Sequence, residues 1–120
     1  MGVYETVHTP MEYMEAGVLK FGVEYRGPED GDEGVSIHVF GSVGEITKEV
    51  LRFDCFNNEP HYHYGPESKD ERLFLDSTAE GDALSWAINR LRFRLIPMLV
   101  RAGYSQIARQ VDHILVETCM

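Results

Sequence analysis

Cysteine is scarce in this chain: Cys55 and Cys119 are the only two in 120 residues. Two thiols, one in the apolar phase of a strand pattern and one next to the last residue, make no disulfide framework, and a reducing compartment is expected. No apolar run approaches the roughly 18 residues a membrane helix needs, and no apolar leader follows Met1, so a cytoplasmic protein with no membrane span is expected. Basic charge is also in short supply. Against 20 Asp+Glu stand 11 Lys+Arg, a formal net charge of −9. Nucleic-acid backbones and anionic bilayers are held by an excess of Lys and Arg, so neither is expected as a partner. No serine or second cysteine stands in a recognisable nucleophile motif, which leaves acyl transfer unsupported. What is present is a hydrophobic share of 43%, enough for a single domain with a core that needs no staples.

The periodicity divides the chain into a strand-rich front and a helical back. Residues 1–16 show no clean period and read as an irregular lead-in. From Gly17 to Tyr25, Leu19, Phe21 and Val23 alternate with Lys20 and Glu24, the mark of a half-buried strand. An acidic, glycine-rich loop from Arg26 to Gly34 follows and reads as a solvated hairpin tip, without calcium-loop spacing. Val35, Ile37 and Val39 mark a second strand, Glu45 to Phe56 a third, the His-Tyr segment a fourth, and Arg72 to Asp76 a fifth. Short connections make this an antiparallel meander across residues 17–76. Residues 77–116 are helical. Ser77 and Glu80 form a capping box. Leu84, Ala87, Ile88, Leu91, Leu95, Met98, Leu99 and Ala102 recur at helical spacing along a helix that Pro97 should kink and Gly103 should end. Ser105 then starts a short C-terminal helix with the stripe Ile107, Ala108, Val111, Ile114 and Leu115. The expected fold is α+β: a four- to five-stranded antiparallel meander, a long kinked helix on it, and a short last helix.

The long helix has a second apolar stripe. Trp86, Phe93 and Val100 are seven apart, with Asn89 and Ile96 between them. The last helix is too short to cover Trp86, so either the N-terminal segment or a second subunit must. The expectation is a homodimer through Trp86 and Phe93. Arg90, Arg94 and Arg101 share one side of the same helix and form the one basic patch of an acidic chain.

The chemistry concentrates in Arg52-Phe53-Asp54-Cys55-Phe56 and His61-Tyr62-His63-Tyr64-Gly65-Pro66, joined by Asn57-Asn58-Glu59-Pro60. A hairpin loop of Asn57 to Pro60 sets Phe56 opposite His61 and Asp54 opposite His63. It gathers Arg52, Asp54, His61 and His63 on the face away from Leu51 and Phe53. A slip of one residue would bury both imidazoles among apolar side chains without partners, at about 1–3 kcal/mol each. Three chemistries compete for the set. Asp54, His61 and His63 can ligate a divalent metal such as zinc. Asp54 can orient His63 as a general base, with Arg52 holding an oxyanion. The Tyr and His edges can line a cleft for a small-molecule ligand. His38, in the polar phase of its strand, approaches this cluster if the strands are neighbours, whereas His113 needs no function.

The stretch from Arg52-Phe53-Asp54 to Pro60-His61-Tyr62-His63-Tyr64 resembles the signature of a family of small bacterial domains of unknown function. A looser similarity, an aspartate-bearing strand followed by a His-rich strand, connects it to small toxin–antitoxin proteins, from which this chain departs in being acidic. The resemblance implies no catalytic assignment. Two functions stand side by side: a binding or regulatory protein holding a metal or small anion on the hairpin face, and a small metal-assisted or general-base hydrolase using Asp54, His61 and His63.

Overall fold

The computed structural model describes residues 7–29 and 31–120. Among the described residues there are seven strands: β1 (Val7–His8), β2 (Glu12–Ala16), β3 (Leu19–Glu29), β4 (Asp32–Val43), β5 (Ile46–Phe56), β6 (His61–Tyr64) and β7 (Glu71–Phe74). All pairings among the described residues are antiparallel. β3 to β7 run in chain order, and β1 and β2 both pair with β3 on its outer side. The meander is therefore present and extended by one position. The part of the expected lead-in that lies among the described residues holds two short strands, and residues 1–6 lie outside them. β2 escaped the periodicity because four of its five residues are exposed or half-exposed, which leaves little apolar alternation to detect.

Because directly paired residues share a face, the register lays two rows across the sheet. One reads Glu24, Ser36, Asp54, His61 and Phe74; the other reads Gly22, His38, Arg52, His63 and Arg72. The reverse face carries Phe21, Val39, Leu51 and Phe53, all 0–1% exposed, and the helices pack there. Gly34 lets β4 approach β5 closely, since a Cβ there would lie 2.2 Å from the Cys55 carbonyl oxygen.

A β-bulge interrupts the β4–β5 ladder between the pairs Val39–Leu51 and Phe40–Glu49, where Val50 is the extra residue. Simple alternation would set Glu49 and Arg52 on opposite faces. The extra residue puts both on the polar face and still buries Val50 and Leu51.

The helical half is more broken than the apolar stripe suggests. It comprises α1 (Ser77–Glu80), α2 (Ala83–Phe93), α3 (Leu95–Arg101), α4 (Ser105–Ala108) and α5 (His113–Cys119). Asp76, not Ser77, caps α1, accepting the Thr78 amide. Asp82 caps α2 through the Ser85 amide, so the helix restarts after Gly81. The expected kink is a full break at Arg94. A proline ring clashes with the carbonyl four residues earlier, here that of Phe93, the last residue of α2. Pro97 then falls in the first turn of α3, where its missing N–H costs nothing. Gly103, at φ +96, ends α3 as expected. Asp112 restarts the chain as α5 in a new phase, which exposes Ile114 (79%) and buries Val116.

This break also divides the second stripe. Trp86 lies against the sheet, with its ring 5.0 Å from Tyr62 and 6.2 Å from Phe53. β5 and β6 supply part of its cover, and Trp86 remains half-buried. Phe93 points away and is 61% exposed. Among the described residues no helix is long and apolar enough to cross a membrane.

Candidate functional site

Asp54, in β5, is the centre of the polar face and is 1% exposed. Its Oδ1 accepts the Ser36 hydroxyl at 2.7 Å and lies 3.6 Å from the Arg26 guanidinium. Its Oδ2 lies 2.9 Å from His61 Nε2, 3.2 Å from His63 Nε2 and 3.3 Å from Arg52 Nε. Burial alone would raise this carboxyl's pKa. Contacts with His61, His63 and Ser36, together with the Arg52 charge, outweigh burial and hold it far below the usual carboxylate range.

The register differs from the expected one by two residues. Asp54 pairs with His61 and Arg52 with His63, while Phe56 pairs with Gly34 of β4 and not with His61. A shift of two preserves the face, so all four expected residues still come together on the side away from Leu51 and Phe53. The shift lengthens the β5–β6 connection, and this loop needs its own anchor. Asp32 supplies it, accepting the amides of Glu33, Asn58 and Glu59 at 2.8–2.9 Å. Burial opposes that charge, but the amide donors prevail and lower the Asp32 pKa. The acidic loop is thus a structural clamp on the hairpin and not a solvated tip. Asp30 within it lies outside the described residues.

Both histidines are fixed from behind. His61 Nδ1 lies 2.9 Å from the Glu59 carbonyl oxygen, and His63 Nδ1 lies 2.8 Å from Asp70 Oδ1. Each of those partners only accepts, so each Nδ1 carries the proton and each Nε2 is turned toward Asp54 Oδ2. The Asp54 contact raises the His61 pKa, partly offset by burial. Asp70 is the one described non-glycine residue with positive φ, at +48°. The turn that holds it there is tied by its amide to the Gly65 carbonyl at 2.8 Å. Aspartate tolerates this conformation better than most side chains. No local sequence pattern marks Asp32 or Asp70 as part of the site.

His38 does not join the cluster directly. It is 6% exposed and bridges two carboxylates, with Nδ1 2.5 Å from Glu49 and Nε2 2.6 Å from Glu24. Burial works against its charge, but Glu49 and Glu24 outweigh it and raise the His38 pKa. Glu49 also receives Arg52 at 3.3 Å. The bulge therefore links the His38 clamp to the Asp54 cluster. The break in alternation at Glu49-Val50-Leu51-Arg52 is the signal that could have found it.

Cys55, adjacent to Asp54, faces the other way. Burial, and then the Asp54 and Asp82 carboxylates, push its thiol up to about 12, so it is no nucleophile at neutral pH.

The cluster opens onto a cleft of about 580 Å³. Arg26, Arg52 and Arg72 line it together with the carboxylates Asp32, Asp54 and Glu59, and Phe56 and Phe74 are its apolar walls. His61 sits between the two phenyl rings, 5.6 Å from each. The Asp54, His61 and His63 ligand atoms all lie within 4.8 Å of one another, a set that can hold a metal ion.

Residues 13–120 match the family described as a domain of unknown function, DUF7700. The chain belongs to DUF7700. No curated protein and no solved structure matches it. Within this DUF7700 domain the family's span takes in the whole polar face, from Glu24 to Phe74, and leaves β1 outside.

Proposed function

We propose that this DUF7700 domain is a small binding protein that holds a divalent cation of the zinc type through Asp54 Oδ2, His61 Nε2 and His63 Nε2. One observation carries the reading. Both Nδ1 atoms are committed to acceptors, and both Nε2 atoms converge on a single carboxylate oxygen. Two imidazoles and a carboxylate oxygen at this spacing need positive charge between them, and a metal ion supplies it in place of protons on Nε2. Outer hydrogen bonds from Nδ1 to a carbonyl and to a carboxylate are also what orients histidine as a metal ligand. Three protein ligands leave a coordination position for water or an anion. The arginines of the adjoining cleft make an anionic ligand the fitting one.

A hydrolase reading then depends on metal-bound water. With Nδ1 held and Nε2 on Asp54, neither histidine has a spare nitrogen to take a proton from a substrate, so general-base chemistry by His63 alone loses support.

A second reading is favoured by Arg52. Its NH2 donates to His63 Nε2 at 3.1 Å while its Nε reaches Asp54 Oδ2 at 3.3 Å. The guanidinium is thus the chain's own cation between those two groups, and a proton on His61 completes the balance. In this reading the face is a metal-free anion cleft.

Elemental analysis of protein purified without chelator, followed by zinc titration calorimetry, separates the two. The metal reading expects one ion per chain and its loss in His61→Ala and His63→Ala. No stoichiometric metal and no zinc binding in the micromolar range would overturn it in favour of the second.

A further inference from the structure

β6 alternates His61 and His63 on one face with Tyr62 and Tyr64 on the other, so a second cleft lies on the far side of the same strand. Its volume is about 310 Å³, within the range of small-molecule sites. Its lining spans the break between α2 and α3. Tyr62, Tyr64 and Trp86 contribute rings, and Arg90, Arg94 and Arg101 contribute guanidinium groups. Three of the 11 basic residues of a chain of charge −9 therefore gather at one aromatic hollow.

The three arginines are differently placed. Arg101 lies 4.1 Å above the Tyr64 ring and pairs with Glu71 at 2.9 Å. Arg90 lies 5.1 Å from the Trp86 ring. Both therefore have partners within the fold. Arg94 sits at the break itself, is exposed, and its side chain has no ion pair or hydrogen bond among the described residues. A planar, always-charged fork in a cleft lined by aromatic rings, with Arg90 in the same lining, is suited to a carboxylate or phosphate attached to a flat ring. The oxyanion would take the arginines, and the ring would lie against Tyr62, Tyr64 or Trp86.

The geometry points to a binding site for a ring-bearing small anion, an aryl carboxylate or a nucleoside monophosphate, held by Arg94 and Arg90 over the Trp86–Tyr62 platform. The site is separate from the Asp54 cluster and requires no metal.

Trp86 is the single tryptophan of the chain, so its fluorescence reports on this cleft. The probes are adenosine monophosphate, benzoate, adenosine and inorganic phosphate, titrated into the full chain with chelator present. The expected result is saturable quenching by adenosine monophosphate or benzoate, at a concentration at least tenfold below that needed for adenosine or phosphate alone. Which of the two ring-bearing anions wins assigns the oxyanion. Arg94→Ala, at an exposed position, should weaken that binding at least tenfold with an unchanged melting temperature. Arg72→Ala, on the other cleft, should leave it unchanged. The proposal is overturned if neither ring-bearing anion quenches saturably. It is also overturned if Arg94→Ala binds like the parent, or if Arg72→Ala and not Arg94→Ala removes the response.

Discussion

Asp54→Asn keeps the shape of the most buried carboxylate on the polar face and removes its charge. In the parent, Ser36, Arg26, Arg52, His61 and His63 all lie within 3.6 Å of its two oxygens. Breaking a buried ion pair by neutralising one member costs about 3–5 kcal/mol, because the partners stay behind without compensation. Arg26 and Arg52 each keep 25% of their side chains exposed, so water takes up part of the loss. The expected cost therefore lies near the lower limit, about 3 kcal/mol. A chain of this size loses roughly 4 °C per kcal/mol, so melting should fall by about 12 °C. The pH dependence follows from the direction of the shift. The folded-state pKa lies below the ordinary 3.8, so the carboxylate's contribution is complete above 3.8 and disappears as the pH falls toward the folded value. Urea unfolding of parent and variant with chelator present, at neutral pH and at several points below 3.8, is the assay. The two stabilities should converge in acid. A difference under about 1 kcal/mol at neutral pH would refute the ion-pair argument. A neutral-pH difference that persists undiminished in acid would show that the loss came from packing and not from charge.

The His38 clamp predicts the opposite slope. With its folded pKa raised above 6.5, it stabilises fully below 6.5 and loses that contribution as the pH climbs through the higher value. Denaturation curves taken on the alkaline side should show this loss in the parent and not in His38→Gln. Alkylation with iodoacetamide at mildly alkaline pH, mapped by mass spectrometry, should leave Cys55 unmodified until the chain is unfolded, because its thiol is pushed up to about 12. Gly34→Ala should destabilise by more than about 2 kcal/mol in urea, since its Cβ would meet backbone at 2.2 Å and force β4 from β5. Trp86→Ala should cost about 3–5 kcal/mol through lost packing on Phe53 and Tyr62, with a melting temperature independent of protein concentration. If light scattering instead shows a dimer that Trp86→Ala or Phe93→Ser dissociates, the seam belongs to a second copy after all.

Period and chemistry together were enough, in the sequence, to place Arg52, Asp54, His61 and His63 on one face. Strand alternation is local, and burying imidazoles without partners is costly in any register that mixes the faces. The same local signals marked five strands of the meander, the Pro97 disruption and the Gly103 stop. The exact pairing lay beyond them, because a slip of two residues keeps every side chain on its face and so leaves no trace in the pattern. Asp32 holds the amide of Glu59 from 27 residues away, and no local rule links those positions. Glu49 reaches His38 and Arg52 through a bulge, where one extra residue changes the face. Asp70 reaches His63 from a turn held at positive φ. Trp86 showed in the sequence as an apolar side chain in need of cover. That its ring lies near Phe53 and Tyr62 depends on how far α2 runs before Arg94 and which strand lies beneath it. Those are properties of the packed sheet and helices, and only the tertiary structure could decide them.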